Sequence, residues 1–391
     1  MENAKKRSEK PATRKTGELI AKEMYWTPLR ALTYNKLWNF IIGGTGIGKT
    51  YGMKFYCMNK FKKSRQQFLW MRRRDADLDD IQGWLNEPSI WDDLGEEPDM
   101  WKLDNKGHIL HKREKDANGK FVKHPCEIDG KPEPDDEKLI ERFGEWEVAG
   151  YYKSLKTLLK KGVAYPNVWT IVFEEFQPHD ENQRYYKDEV GKFMGAWDAI
   201  HRYKRRVKVF FLSNKVSMYN PYMLALGYEP NGKEFWVGDA EIGPAHSALI
   251  QMCDSAEIAS KFKETEMGRM IMGTNYGNYA LENMSQTENN TFVEKKPGTA
   301  EPLMNIVVDN HPYGIWADEK TALFYCTKAD CKTLPYYAQS DDDHTPEIAC
   351  LRLIIGNPIW RSITDAYDCG MMRFDSQKTK SAMLKVLKRG V

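Results

Sequence analysis

The sequence predicts an α/β protein: a parallel-sheet nucleotide-binding domain, a small helical linker, and a second, smaller α/β domain. Three observations carry that expectation. The apolar run Leu37, Trp38, Phe40, Ile41, Ile42 leads into a glycine-rich turn and then a proline-free helical stretch. A second apolar run, Val168 to Phe173, ends in two adjacent acids, Glu174 and Glu175. Near the C-terminus three strand-like runs follow one another across turns, with helical segments behind them.

The chain has 391 residues, 41% hydrophobic and 12% aromatic, enough for two or three units with a substantial core. Its 58 basic and 56 acidic residues leave a net charge of +2, so any contact with a polyanion must be local. The seven cysteines are scattered singly without metal-ligand spacing and read as reduced thiols in a cytosol. No signal-type segment and no run of 18 or more apolar residues is visible, which argues against secretion and membrane spanning.

Residues 1–20 begin with Lys5, Lys6, Arg7, Lys10, Arg14 and Lys15 and hardly any apolar side chain, which reads as a disordered basic arm. The nucleotide domain is expected over 21–255. Gly43-Gly44-Thr45-Gly46-Ile47-Gly48-Lys49-Thr50 fits G-x-x-x-x-G-K-[ST], a phosphate-binding loop. Glycines let backbone N–H groups turn inward on a phosphate, and the helix behind, Tyr51 to Lys63, presents its positive end to the same anion. Lys49 is the expected ligand of the β- and γ-phosphates, and Thr50 the hydroxyl ligand of Mg²⁺. ATP and Mg²⁺ are therefore the expected cofactors.

Gln67 to Met71 reads as a second buried strand, ending in Arg72-Arg73-Arg74 at the sheet edge where ligands bind in open α/β sheets; one of these reads as a γ-phosphate contact or as part of a solvated charge run. Residues 97–147 are polar, with hairpin signals at Asn118-Gly119 and Asp129-Gly130, and read as a surface insertion outside the core. Lys153, Lys156, Lys160 and Lys161 lie on a segment expected to be helical, Tyr152 to Lys161. They form either a solvated face or a contact surface for a phosphate backbone.

Strand alternation sends the neighbouring acids at the end of Val168–Phe173 to different tasks, Glu174 to the Mg²⁺ shell and Glu175 to the attacking water as general base. Val207 to Leu212 is a further strand, and the small polar Ser213 and Asn214 at its end suit a γ-phosphate sensor. His201-Arg202-Tyr203-Lys204-Arg205-Arg206 reads as a basic helix end or, at a subunit boundary, as the donor of an arginine finger. Residues 256–289, punctuated by Gly268, Gly273 and Gly277, read as the linker. Over 290–391 the runs Met304–Asp309, Tyr313–Asp318 and Ala322–Cys326 form a meander, followed by helices expected near Thr345–Ile355 and Ser376–Leu387. That order suits an RNase H-like layer arrangement.

With these motifs in hand the chain resembles the DNA-packaging ATPases of phi29-like tailed phages, over nearly all of it from Tyr25. The most specific runs are Asn39–Gly43 through Gly46–Lys49, Ala164–Val168 into Thr170–Phe173, Leu212-Ser213-Asn214, and Gly273-Thr274-Asn275-Tyr276-Gly277. The resemblance implies an additional-strand (ASCE) P-loop ATPase domain and a C-terminal RNase H-like domain derived from a nuclease. It also implies a homo-oligomeric ring, pentameric in the type member, at the portal vertex of an empty capsid in the host cytoplasm. Such a ring drives double-stranded DNA inward; docking directly or through a structural RNA stays open. Carried over by position, Lys49 and Thr50 match the phosphate-loop ligands, Glu175 the catalytic glutamate, Arg202 the trans-acting finger and Lys161 a DNA-contacting lysine.

Two departures stand out. Glu174 replaces the family's aspartate and is one methylene longer. The loop after Glu175 carries Pro178, His179, Asp180 and Glu181 where basic residues would help grip DNA, leaving Arg184 and Lys187 as substitutes. Two other classes stay open from residues alone. One is a nuclease acting through Asp309, Asp318, Asp365 and Asp368, which would need several carboxylates converging on metals. The other is a non-hydrolysing nucleotide-dependent scaffold, for which Glu175 has no use.

Overall fold

The computed structural model of the chain describes residues 25–75, 83, 85–124, 126–128, 131–133, 140–159, 165, 167–178, 185–201, 207–214, 218, 220–229, 232–253, 260, 266–272, 274, 292–308, 310–328, 330–341 and 343–387. They fall into two compact units divided between 286 and 287. Several expected features lie outside the described residues: the basic arm, Lys160, Lys161, Arg184, Arg202, Gly273, Asn275 to Gly277, Asp309 and most of the linker.

The first unit runs α1 (Leu29–Thr33), β1 (Trp38–Gly43), α2 (Lys49–Ser64), β2 (Gln67–Arg72), α3 (Pro88–Leu94), β3 (Trp101–Leu103), β4 (His108–Lys112), β5 (Cys126–Ile128), β6 (Lys131–Glu133), β7 (Arg142–Phe143), β8 (Trp146–Ser154), α4 (Leu155–Leu158), β9 (Val168–Glu174), α5 (Glu189–His201), β10 (Lys208–Ser213), α6 (Pro221–Ala225), β11 (Phe235–Val237), β12 (Ala248–Cys253) and α7 (Glu266–Ile271). One sheet takes the order β11-β12-β1-β10-β9-β2-β8-β4-β3. From β12 to β8 every pairing is parallel; β11, β4 and β3 are antiparallel additions. The decisive feature is β10, inserted between β1 and β9, which is the additional strand expected of this class.

Both faces of this sheet are covered, so its central strands are largely apolar and not alternating, with Asn39, Gln67 and Thr170 as buried polar exceptions. Side chains still alternate between two cores. Phe40 joins Phe173, Phe193, Phe211 and Tyr222 on one face, where Phe40 and Phe211 stack at 4.2 Å. Ile41 joins Met53, Cys57 and Phe61 of α2 with Trp70, Val172 and Phe210 on the other.

Two expectations about this unit are corrected. The stretch read as a surface insertion contributes β3 and β4 to the main sheet, and Trp101, Ile109 and Leu110 are buried. Its polar flanks hid short strands whose few apolar side chains reach both cores, Trp101 and Ile109 on the α2 side and Leu110 on the other. The lysine segment is not one helix: Tyr152 and Lys153 end β8, in register with Trp70 and Met71 of β2, and helix begins only after Ser154, whose hydroxyl caps Thr157 N at 3.1 Å.

The second unit is β13 (Glu301–Val308), β14 (His311–Asp318), β15 (Leu323–Thr327), β16 (Tyr336–Ala338), β17 (Ala349–Cys350), α8 (Pro358–Asp368), β18 (Met372–Phe374) and α9 (Gln377–Leu387). Its sheet order is β17-β16-β13-β14-β15-β18, with an antiparallel meander β13-β14-β15 and β16 parallel to β13. This is the RNase H-like order. The helix expected near Thr345–Ile355 is displaced to Pro358–Asp368. Asn357 caps Ile359 N at 2.8 Å and Pro358 occupies the first turn, a stronger start signal than anything near Pro346.

Candidate nucleotide-binding site

The loop between β1 and α2 is shaped by its glycines. Gly46 and Gly48 have φ of +78° and +88°, a region glycine enters without steric cost. At Gly43 the reason is proximity: a Cβ there would lie 2.7 Å from the Cβ of Cys253 on the adjacent β12. Lys49 opens α2 with its ammonium directed back into the loop, donating to the Gly43 carbonyl at 2.9 Å, the Gly44 carbonyl at 2.7 Å and Asn214 Oδ1 at 3.2 Å. Burial lowers its pKa to about 8, with Cys253 and Glu174 opposing that shift. An anionic ligand would hold the same lysine in its charged form.

Thr50 donates to Glu174 Oε1 at 2.6 Å. Glu174 Oε2 accepts from the Trp70 indole at 2.9 Å and lies 3.1 Å from Arg72 Nε. Arg72 also reaches Glu175 Oε2 at 2.8 Å, so one guanidinium spans both acids. Glu175 follows β9 with φ of +53°, and this left-handed turn sends its side chain away from the sheet, 46% exposed against 7% for Glu174. Ser213, buried at the end of β10, donates to the Asn214 carbonyl at 2.7 Å.

Thr45, Gly46, Ile47, Gly48, Lys49, Thr50, Glu174, Glu175, Ser213 and Asn214 line one cavity of about 630 Å³. Gly43 and Gly44 meet it through the lysine. The sequence-predicted nucleotide, metal, base and sensor positions, drawn from three strands, therefore converge. A turn with two glycines at positive φ, a lysine, and a hydroxyl beside a carboxylate match the chemistry of a nucleotide polyphosphate with a divalent cation. Thr50 and Glu174 are the residues that could hold the cation.

Other positions stand apart. Lys156 is exposed and pairs with Asp75 at 3.6 Å, while Lys160, Lys161 and Arg202 belong to the segments not described. Of the arginine run, Arg72 sits on the two acids and Arg73 is buried against Glu189; neither lines the cavity. Sequence reasoning also missed Trp70, although β alternation puts it on the same face as Arg72. The cavity's outer wall is formed by Tyr25, Tyr51, Glu87, Ser89 and Asp93, where Tyr51 donates to Asp93 Oδ2 at 2.6 Å.

The nuclease alternative finds little footing. Asp318 accepts from Thr299 Oγ1 at 2.5 Å and from Thr321 N and Oγ1 at 2.9 and 2.8 Å, the pattern of a turn carboxylate. Among the described residues no group of three or more His, Cys, Asp or Glu is placed to hold a metal ion.

Comparison with known proteins bears on the whole chain. The DNA packaging proteins of Bacillus phages PZA and phi29 are each 30% identical over 371 residues, covering 94% of this chain and 98% of theirs. The solved bacteriophage Phi-29 viral genome packaging motor assembly contains a chain 29% identical with a TM-score of 0.65, covering 93% of this chain and 99% of that one. The Phi-28 gp11 DNA packaging motor, at 17% identity and a TM-score of 0.58, shares the fold. A family profile matches residues 20–119 and 141–390, leaving out a short stretch that contains β5 and β6. The chain belongs to the Podovirus DNA encapsidation protein (Gp16) family.

Proposed function

We propose that the protein is the ATP-hydrolysing motor of viral DNA encapsidation, moving double-stranded DNA into a preformed capsid. The observation that carries the reading is the 2.6 Å contact between Thr50 and Glu174, next to a lysine held by Asn214. It joins the phosphate loop to the acidic strand end across the additional strand. Bound Mg²⁺ would offset the negative charge of the phosphates. Around it, Gly43 to Gly48 enclose the phosphates with backbone N–H groups, and Lys49 turns from its loop carbonyls to the β- and γ-oxygens. Thr50 and Glu174 supply the metal ligands. Glu175 leaves Arg72 and takes a proton from the attacking water. Asn214, through Lys49, and Ser213 report the state of the γ-phosphate.

Directional movement needs neighbours that engage and release the polymer in turn, so the working form is a ring, pentameric as in the resemblance, at the portal vertex in the host cytoplasm. Lys156, Lys160 and Lys161 contact DNA phosphates there, a sequence-independent and salt-sensitive interaction. Arg202, directly after α5, completes a neighbour's site in trans.

Mixed rings test this assembly. Arg202→Ala and Glu175→Gln subunits should each be inactive alone, yet mixing them pairs some intact bases with intact fingers, and DNA-stimulated ATPase should reappear. No activity above either variant, with both still assembling, would remove the trans role.

A further inference from the structure

The turn that carries Glu175 is held from behind by a buried ion pair. At φ of +53° Glu175 adopts a conformation that a residue with a side chain keeps only where its surroundings impose it. Those surroundings are the next residue's contacts. Phe176 N donates to the Leu212 carbonyl of β10 at 3.3 Å, and the Phe176 ring is fully buried, with centroids 5.5 to 5.7 Å from Phe40, Phe211 and Tyr222. The Phe176 carbonyl accepts from Arg73 Nη1 at 2.5 Å.

Arg73 is only 4% exposed and also donates to Glu189, Nη1 to Oε1 at 3.1 Å and Nη2 to Oε2. Glu189, the first residue of α5 and wholly buried, also accepts from the Tyr222 hydroxyl at 3.0 Å and from Tyr186 N at 2.9 Å. A planar fork can serve a backbone carbonyl and both oxygens of a carboxylate together in one fixed geometry, which a tetrahedral ammonium cannot reproduce. A pair whose purpose was stability alone could be replaced by apolar side chains of like volume.

We propose that Arg73 is a positioning residue for hydrolysis: through the Phe176 carbonyl it fixes the backbone that presents Glu175, and through Glu189 it ties that backbone to α5. This rests on Glu175 being the base. The placement of the base then depends on α5, the helix that runs to His201 and the Arg202 segment. A shift of α5 reaches Glu175 through two side chains.

The test uses the full chain, Mg²⁺-ATP turnover and calorimetric nucleotide affinity. Arg73→Lys keeps a cation for Glu189 but cannot fork, so nucleotide affinity should stay within about threefold while kcat falls about 10- to 100-fold, the range for lost outer-layer partners. Glu189→Gln turns an amide N–H toward donors that now meet a carboxylate oxygen and frees one arm of the Arg73 fork, so kcat should fall in the same direction while nucleotide affinity stays within about threefold. If Arg73→Lys does not fold, Arg73→Met/Glu189→Met, which leaves no buried charge, carries the same expectation. Unchanged kcat per folded molecule in these variants, with only the melting temperature moved, overturns the proposal. Glu175→Gln in the same assay separates the two readings: if it turns over like wild type, the base assignment itself has failed.

Discussion

Arg72 offers the sharpest test of how the two acids are held. Its guanidinium lies 3.1 Å from Glu174 and 2.8 Å from Glu175, occupying part of the electrostatic place a divalent cation would take. Replacing it by methionine leaves the carboxylates with a methionine stem, and with Thr50 and Trp70 as the donors to Glu174. Two unit charges about 3 Å apart interact by about 5 kcal/mol at an effective dielectric of about 20. Glu175 is nearly half exposed and Arg72 about a quarter, so solvent screening leaves about 1–2 kcal/mol of that. Arg72→Met should therefore melt at lower temperature without ligand, because the buried Glu174 loses a partner. It should bind Mg²⁺ about 10-fold more tightly, since about 1.4 kcal/mol of competition is gone. The assay is the melting temperature at saturating ADP as a function of Mg²⁺, with Arg72→Lys expected to restore the wild-type midpoint. A midpoint unchanged or moved to higher Mg²⁺ in Arg72→Met would refute the placement of the cation beside Glu174.

Two further predictions concern the loop and the sheet. Gly43→Ala forces a Cβ to within 2.7 Å of Cys253 and 2.9 Å of Ile47, an overpacking worth about 3 kcal/mol, whereas Gly46→Ala meets nothing within 4 Å and carries only a left-handed cost of about 1 kcal/mol; equal melting shifts for the two would show that β12 does not press on the loop. His111 is buried among Glu96, Glu147, Arg65 and the more distant Lys62 and Arg142. Burial works against its charged form, yet the Glu147 carboxylate beside it and the hydrogen bond with Glu96 outweigh that and raise its pKa above 6.5. The folded state then holds a proton the unfolded chain releases, so this stabilisation is complete below about pH 6.5 and is lost as pH rises through the folded pKa. The carboxylates run the other way: Glu96, lowered to about 2 against burial by His111 and Trp101, contributes above its unfolded value of 4.5 and is lost in acid. Melting temperature should thus decline as pH rises above about 6.5 in wild type and flatten in His111→Gln; parallel profiles would contradict the assignment.

The parts of the site that were legible in the sequence are those whose chemistry is local. Gly43 to Thr50 are contiguous, and Glu174-Glu175 end an apolar strand, so each announces itself without a partner. What joins them was not legible, because it depends on the order of parallel strands. Trp70 and Arg72 meet Glu174 because β2 is paired with β9, and Asn214 meets Lys49 because β10 lies beside β1. Arg73 looked like its neighbours in a basic run, yet alternation turns it into the other core, where Glu189 comes from another element. In the fold, the errors came where polar sequence covers short strands, at β3 and β4, and where a capping asparagine and proline at 357 and 358 outweighed apolar periodicity.

The central claim is that this site hydrolyses ATP with Glu175 as the base. Its most direct measurement is single-turnover hydrolysis of Mg²⁺-ATP by Glu175→Gln against wild type, with nucleotide affinity determined on the same preparations. Affinity within about threefold and a rate at least about 10²-fold lower is the expected result. Wild-type-like hydrolysis by Glu175→Gln, with ATP bound as tightly, would contradict it.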